Sequence, residues 1–292
     1  MTYTTFTLPT KPEDQLPFVH CWQGGAPPRA VLILAHGMGE HALRYARFAE
    51  ALVARGFVVL ANDHRGHGRT VKTASQLGDY GQGGWNALIA DERALIAKAR
   101  SDFPGLPLAI MGHSMGSMVV QHLLTEASDL VDAAALSGTT AVDIMAAAVA
   151  DPNTNVFEAM NQAFAPTRTE SDWLSRDETE VDLYIADPLC GFTVTDASTV
   201  GLAEAGIAFS RPEAMGNVRP DLPLYIFSGD KDPVGLNGEL VTLVASRFRD
   251  AGVKELELKL YRDARHEVLN ETNRDEVTAD FIAWVTRALK LG

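Results

Sequence analysis

The stretch "PLAIMGHSMGSMVV" sets Ser114 between Gly112 and Gly116, where an apolar run gives way to helical spacing. A hydroxyl in that position has a specific use. G-x-S-x-G between a strand and a helix marks a sharp turn that pushes a serine out beyond the end of a sheet. Residues 107–111 read as the strand. Met115, Met118, Val119 and Leu123, at i, i+3, i+4 and i+8, read as the buried face of the helix. The flanking glycines let strand and helix approach closely. The helix start offers free N–H groups and a dipole that favour negative charge. Such a serine suits nucleophilic attack on a carbonyl.

A serine hydroxyl is weak alone; it needs a base, and the base needs an orienting acid. In this kind of turn the chain order is serine, acid, histidine, with each partner following a later strand. Asp230 and Asp232 follow "PLYIFSG", and His266 follows "ELELKLYRDAR". The order Ser114, Asp232, His266 results, with Asp230 an open rival for the acid. Asp263 precedes His266 on the same loop and is a poorer orienter. Among the other histidines, His113 should point away from the elbow, and His36, His64 and His67 suit structural roles on rim loops. His122 lies too far along the helix, and His20 and His41 have no supporting context. The oxyanion formed on attack needs two N–H donors. Met115, after the serine, supplies one, and Met38 in "HGMGEH" is the candidate for the other.

The secondary structure around these groups is legible as an alternation. Strand runs at 31–35, 57–61, 107–111, 133–137, 223–227 and 255–261 alternate with helical patterns near 42–54, 85–101, 115–127, 237–249 and 275–290. The middle strands are too continuously apolar to be one-sided, which predicts a mostly parallel sheet with helices on both faces. "YTTFTL" and "FVHCW" predict an edge hairpin. Residues 139–218 break the rhythm and are rich in Ala, Met and Phe at helical spacing. A connection of that length should carry its own structure. We therefore expect a core of 1–138 and 219–292 with a helical cap at 139–218. In the cap, Ile144, Met145, Val149, Val156, Phe157, Met160, Phe164, Leu202, Ile207 and Phe209 would suit a hydrophobic ligand or simply form the cap's own core.

The totals exclude several classes. A net charge of −13 argues against nucleic acid and anionic membrane surfaces. No apolar run approaches the ~18 residues of a spanning helix. The opening residues lack a secretory pattern, so a cytoplasmic location is expected. Cys21 and Cys190 give no disulfide framework. No cysteine–histidine metal spacing and no phosphate-binding glycine loop appears, so no cofactor is expected.

Together "HGMGEHALRY", "DHRGHGRT", "GHSMGS", "SGDKDPVG" and "ARHEVLNE" resemble the monoacylglycerol lipase and lysophospholipase-like branch of the α/β-hydrolases, from about residue 30 to 290. The cap adds only "DPLCG". Two positions depart: the family often has glycine at Ser117 and serine at Thr70. The resemblance implies an α/β-hydrolase fold with a cap inserted late in the sheet. It also implies Ser114 as nucleophile, Asp232 as acid, His266 as base and the Met38 and Met115 amides as oxyanion hole. The expected activity is cleavage of carboxylic esters through an acyl-enzyme, with a lipid-like small molecule as the partner and no stable membrane insertion. The same machinery serves short-chain esterases, thioesterases, carbon–carbon hydrolases, peptidases and cofactor-free perhydrolases or haloperoxidases, and a non-catalytic binding protein is the outlying alternative. Asp63 and Arg65 of "DHRGHG" are expected to hold the rim loop by hydrogen bonds.

Overall fold

The computed structural model describes residues 1–150 and 156–292, with the side chains of 149, 150 and 156–158 left out. Eight strands among these residues form one sheet: β1 (Thr2–Thr7), β2 (Phe18–Gln23), β3 (Ala30–Ala35), β4 (Phe57–Asp63), β5 (Leu108–His113), β6 (Ala133–Ser137), β7 (Leu224–Gly229) and β8 (Leu256–Tyr261). Their order is β1-β2-β4-β3-β5-β6-β7-β8. Only β2 runs against its neighbours; from β4 to β8 every pairing is parallel. β1 and β2 make the edge hairpin that their alternation predicts. Parallel pairing brings the C-terminal ends of β3, β5, β7 and β8 to one rim.

Alternate residues of each strand feed two cores. On one face Val31, Ile33 and Ile110 pack with α2 (Gly84–Asp102), α3 (Met115–Ala127) and α9 (Glu239–Asp250). On the other, Leu32, Leu34 and Val59 pack with α1 (Ala46–Val53) and α10 (Arg274–Ala288), through Phe48, Leu52, Phe281 and Trp284. The helix expected over 42–54 begins as a 3-10 turn at Ala42–Tyr45 before α1. Between β6 and β7 lie α4 (Val142–Ala150), α5 (Val156–Gln162), α6 (Glu178–Ala186), α7 (Asp196–Phe209) and α8 (Pro212–Met215). A third apolar cluster joins α7 to the main body, with Leu202, Phe209 and Val194 against Trp85, Met115, Met118 and Val119.

The strand-to-helix turn after β5 packs backbone on backbone with no space for a side chain. A methyl on Gly116 would lie 2.0 Å from the carbonyl oxygen of Ala35 in β3, and one on Gly112 would lie 2.1 Å from that of Gly116. Both contacts are with backbone and cannot yield. The turn also holds Ser114 at φ 51°, ψ −120°, a region that costs a non-glycine residue about 1–3 kcal/mol. Gly116→Ala is expected to destabilise the fold by at least the ~1–3 kcal/mol of an overpacked core, read by denaturant unfolding. Gly25→Ala, whose methyl would meet nothing within 4 Å, is the control. Equal midpoints for the two variants would show that the turn tolerates side chains.

Candidate active site

Ser114 stands between β5 and α3, and its N–H donates to the carbonyl of Ser137 at the end of β6, at 2.9 Å. Asp232 lies just past β7 and is fully buried. Its Oδ1 accepts from the N–H of Val234 at 2.9 Å and pairs with His266 Nδ1 at 3.0 Å; its Oδ2 accepts from Ser228 Oγ at 2.6 Å. Burial alone would raise its carboxyl, but His266 and these bonds hold it below the usual range. An ionised carboxylate only accepts, so His266 carries its proton on Nδ1 and presents Nε2. For His266, burial works against charge and the Asp232 carboxylate outweighs it, leaving the imidazole more basic than usual.

The rival acid turns elsewhere: Asp230 Oδ1 accepts from the N–H of Asp263 at 2.8 Å and closes that loop. His266 approaches His113, the residue before Ser114, and Gly138, the residue after the Ser137 whose carbonyl takes the Ser114 N–H. A methyl on Gly138 would lie 3.0 Å from His266 Cε1, and the His113 ring is 4.8 Å from that of His266. His113 is buried, bonded to Ser137 Oγ at 3.2 Å, and pushed down to about 4 by burial and by His266, so it stays neutral. The Ser114 hydroxyl itself makes no hydrogen bond to His266 among the described residues; such contacts often tighten only once substrate is bound.

The loop after β3 lies beside the serine, since a methyl on Gly37 would be 3.2 Å from Ser114 Cβ. Its amides are divided in use. Gly37 N–H donates to Glu40 Oε1 at 2.6 Å and Gly39 N–H to His67 Nε2 at 3.3 Å. Among the described residues no acceptor takes the N–H of Met38 between them. Met115 is the first residue of α3, so its N–H also lacks an intrahelical acceptor.

What holds this loop to the histidine loop was not legible in the spacing. Arg44 donates to Glu40 Oε2 at 2.7 Å and reaches both oxygens of Glu267, next to His266, at 2.5 and 2.7 Å. Tyr45 donates to Glu40 Oε1 at 2.6 Å. Burial would raise Glu267, but Arg44 holds it at about 2. The residues are 223 positions apart, so only the motif strings "GEHALRY" and "RHEVLNE" carried a trace of it.

Trp173, from the segment between β6 and β7, is a second unforeseen neighbour. Its ring lies 5.1 Å from that of His266, and the next carbonyl, of Leu174, accepts from Glu267 N–H at 2.7 Å.

Asp63 takes the N–H groups of Ala42 and Arg69 at 2.9 and 2.7 Å, and Arg65 grips Asp91, Asp14 and the Pro12 carbonyl. Both therefore brace the rim by hydrogen bonds. His36, His64 and His67 pack against one another at tilted angles in the interior; burial pushes His64 to about 3 and His67 to about 4. His20 and His41 do have partners, Asp63 and Asp187, which sequence proximity could not reveal. His122 accepts from Trp85 Nε1 at 2.9 Å. Thr70 and Ser117, the two departures, keep their hydroxyls bonded, to the Asp63 and Ser114 carbonyls at 2.6 Å each.

The apolar residues of 139–218 are not gathered in one place. Met160, Leu202 and Phe209 are buried and Met145 is half-buried. Phe164 sits under the Arg265 guanidinium at 4.2 Å. Ile144 and Ile207 are 40% and 45% exposed, and Ile207 lines a surface cavity of about 450 Å³ with Asp143, Met215 and Arg247. The side chains of Val149, Val156 and Phe157 lie outside the described residues.

Removing Arg44 leaves two buried carboxylates uncompensated. Arg44→Met is expected to cost about 3–5 kcal/mol of stability in denaturant unfolding and to lower turnover. Unchanged stability would show the brace to be dispensable.

Three comparisons bear on kinship. The family model described as "Serine aminopeptidase, S33" matches residues 26–273. A monoacylglycerol lipase of Mycolicibacterium smegmatis is 32% identical over 276 residues, covering 92% of each chain. Among solved structures, a thermostable carboxyl esterase from Bacillus coagulans superposes with a TM-score of 0.87 at 26% identity, over 99% of both chains. A lipase in an open form does so at 0.82 and 29%, again over 99% of both. No described helix is long and apolar enough to cross a membrane. With its mostly parallel sheet and this likeness across nearly its full length, the chain belongs to the S33 family of α/β-hydrolases and is a monoacylglycerol lipase-like ester hydrolase.

Proposed function

We propose that the chain cleaves carboxylic esters of the monoacylglycerol type through an acyl-enzyme on Ser114, with His266 as base, Asp232 as orienting acid and the Met38 and Met115 amides as oxyanion hole. The observation that carries this reading is the buried Asp232–His266 pair beside a strained serine at the ends of parallel strands. In this mechanism Nε2 of His266 takes the Ser114 proton as the oxygen attacks the ester carbonyl. The two free amides stabilise the oxyanion. The proton then passes to the leaving alcohol, and water, activated by the same nitrogen, releases the acid and restores Ser114. Residues 139–218 act as the cap over this site, with 1–138 and 219–292 as the core. The lipid-like substrate is supported by the likeness to the M. smegmatis monoacylglycerol lipase and by the apolar character of the cap. Two unpaired thiols, Cys21 and Cys190, suit the reducing cytoplasm.

Activity needs His266 uncharged. Because its basicity is raised, kcat/KM is expected to rise with pH through a midpoint above 6.5. Ser114→Ala is expected to lower kcat by about 10⁶-fold. Asp232→Asn should lower it by about 10⁴-fold and move the acid limb to lower pH, because the carboxylate that most opposes burial at His266 is gone. Asp230→Asn should change neither. Persistent turnover without the Ser114 hydroxyl, or a larger loss in Asp230→Asn, would reject the assignment.

Substrate class is read from nitrophenyl esters of increasing acyl length measured beside monoacylglycerols. Rising kcat/KM with chain length and turnover of monoacylglycerol are expected. A maximum at acetate would leave a short-chain esterase. Because the family description names a peptidase, aminoacyl nitroanilides belong in the same panel. Faster turnover of these than of any ester would replace the ester reading.

A further inference from the structure

One cluster of reactive side chains is unused by this mechanism. The turn 187–191, "DPLCG", rests on the loop that carries Met38, with the N–H of Gly191 donating to the carbonyl of Gly39 at 2.9 Å. It brings Asp187 and Cys190 up to His41. A ring nitrogen of His41, a carboxylate oxygen of Asp187 and Cys190 Sγ all lie within 4.8 Å of one another. His41 Nε2 is 2.9 Å from Asp187 Oδ2.

Local bonds aim these atoms. Asp187 Oδ1 accepts from the N–H of Leu189 at 2.8 Å, which commits one oxygen to the turn and leaves Oδ2 to face His41. Cys190 N–H closes the turn onto the Asp187 carbonyl at 3.0 Å. His41 is buried, whereas Asp187 and Cys190 are partly open, so one side of the cluster faces solvent. Cys190 is a free thiol.

We propose that His41, Asp187 and Cys190 form a binding site for a divalent ion of the zinc class, with water completing a tetrahedron from the open side. A mixed nitrogen, oxygen and sulfur donor set suits a borderline-soft ion and is a poor match to magnesium or calcium, which take oxygen ligands. Zinc bond lengths place tetrahedral donors about 3.3–3.6 Å apart, within the span the three atoms already occupy. Binding exchanges the His41–Asp187 hydrogen bond for two bonds to the ion, the proton on His41 Nε2 moving by way of water to Nδ1 so that the ring nitrogen facing Asp187 offers its lone pair. The thiol proton passes to solvent as sulfur ligates, and thiolate plus carboxylate then neutralise the dication. No short-range spacing announces the site, because His41 comes from one segment and the other two ligands from another 146 positions away. An ion here would pin the turn 187–191 to the loop of Met38.

The test uses the full chain freed of metal, titrated with zinc chloride by calorimetry and with cobalt(II) by absorption. One ion per chain is expected, with a sulfur-to-cobalt charge-transfer band. Cys190→Ser should abolish the band. Asp187→Asn should weaken zinc binding by at least the ~10–100-fold that loss of a supporting partner costs a metal site. Neither residue belongs to the catalytic machinery, so both metal-free variants should keep wild-type ester turnover and melting. A wild-type chain that takes up no zinc, or uptake unchanged in both variants, would overturn the proposal.

Discussion

The contact on which the rest of the site depends is that of α3 with the strands beneath it. Gly116 lies against the Ala35 carbonyl with no space for a single methyl. That closeness forces the chain to turn within one residue and leaves Ser114 with a positive φ. Strain of this kind persists only where the surroundings over-determine it. Here the over-determination is packing: Met115, Val119 and Leu123 are buried on α3, and Ile110 and Met111 are buried on β5. The hydrophobic core thus does mechanical work on one hydroxyl and holds it clear of the sheet.

A second layer of organisation is electrostatic and runs across the rim. The Glu40–Arg44–Glu267 chain is deeply buried, so its bonds act in a medium that strengthens them and makes a missing partner costly. It couples the loop with the free Met38 amide to the loop with His266. The Met38 amide and the His266 imidazole are thereby fixed relative to each other by charge, while packing fixes the serine. The segment between β6 and β7 joins the same system, because Arg176 pairs with Glu271 at 2.8 Å and Leu174 receives the N–H of Glu267.

That segment also shows how one body of residues serves two purposes. Its inward side, Leu202 and Phe209, extends the core over α2 and α3. Its outward side leaves Leu183, Ile185, Val200 and Ile207 between 45% and 61% exposed. The apolar content that marks it as helical in sequence therefore does not identify which residues meet a ligand. Composition is the same for a packed face and an open one; only position separates them.

Features that depend on near neighbours are legible in the chain alone. Strand 133–137 and helix 115–127 have in the structure the bounds that the chain predicts, because a continuous apolar run and a 3.6-residue period are local signals. The serine turn was legible for the same reason, with strand, glycines and helix falling within one short stretch. Tertiary structure decided what depends on distant partners. Asp230 and Asp232 are equivalent acids in the chain, and only the fold turns one toward Asp263 and the other toward His266. His20 and His41 lacked context because Asp63 and Asp187 lie 43 and 146 positions away, and the Arg44 brace was hidden likewise. Backbone geometry is encoded within a few residues, whereas the pairing of buried charges is settled only when the sheet brings its loops to a common rim.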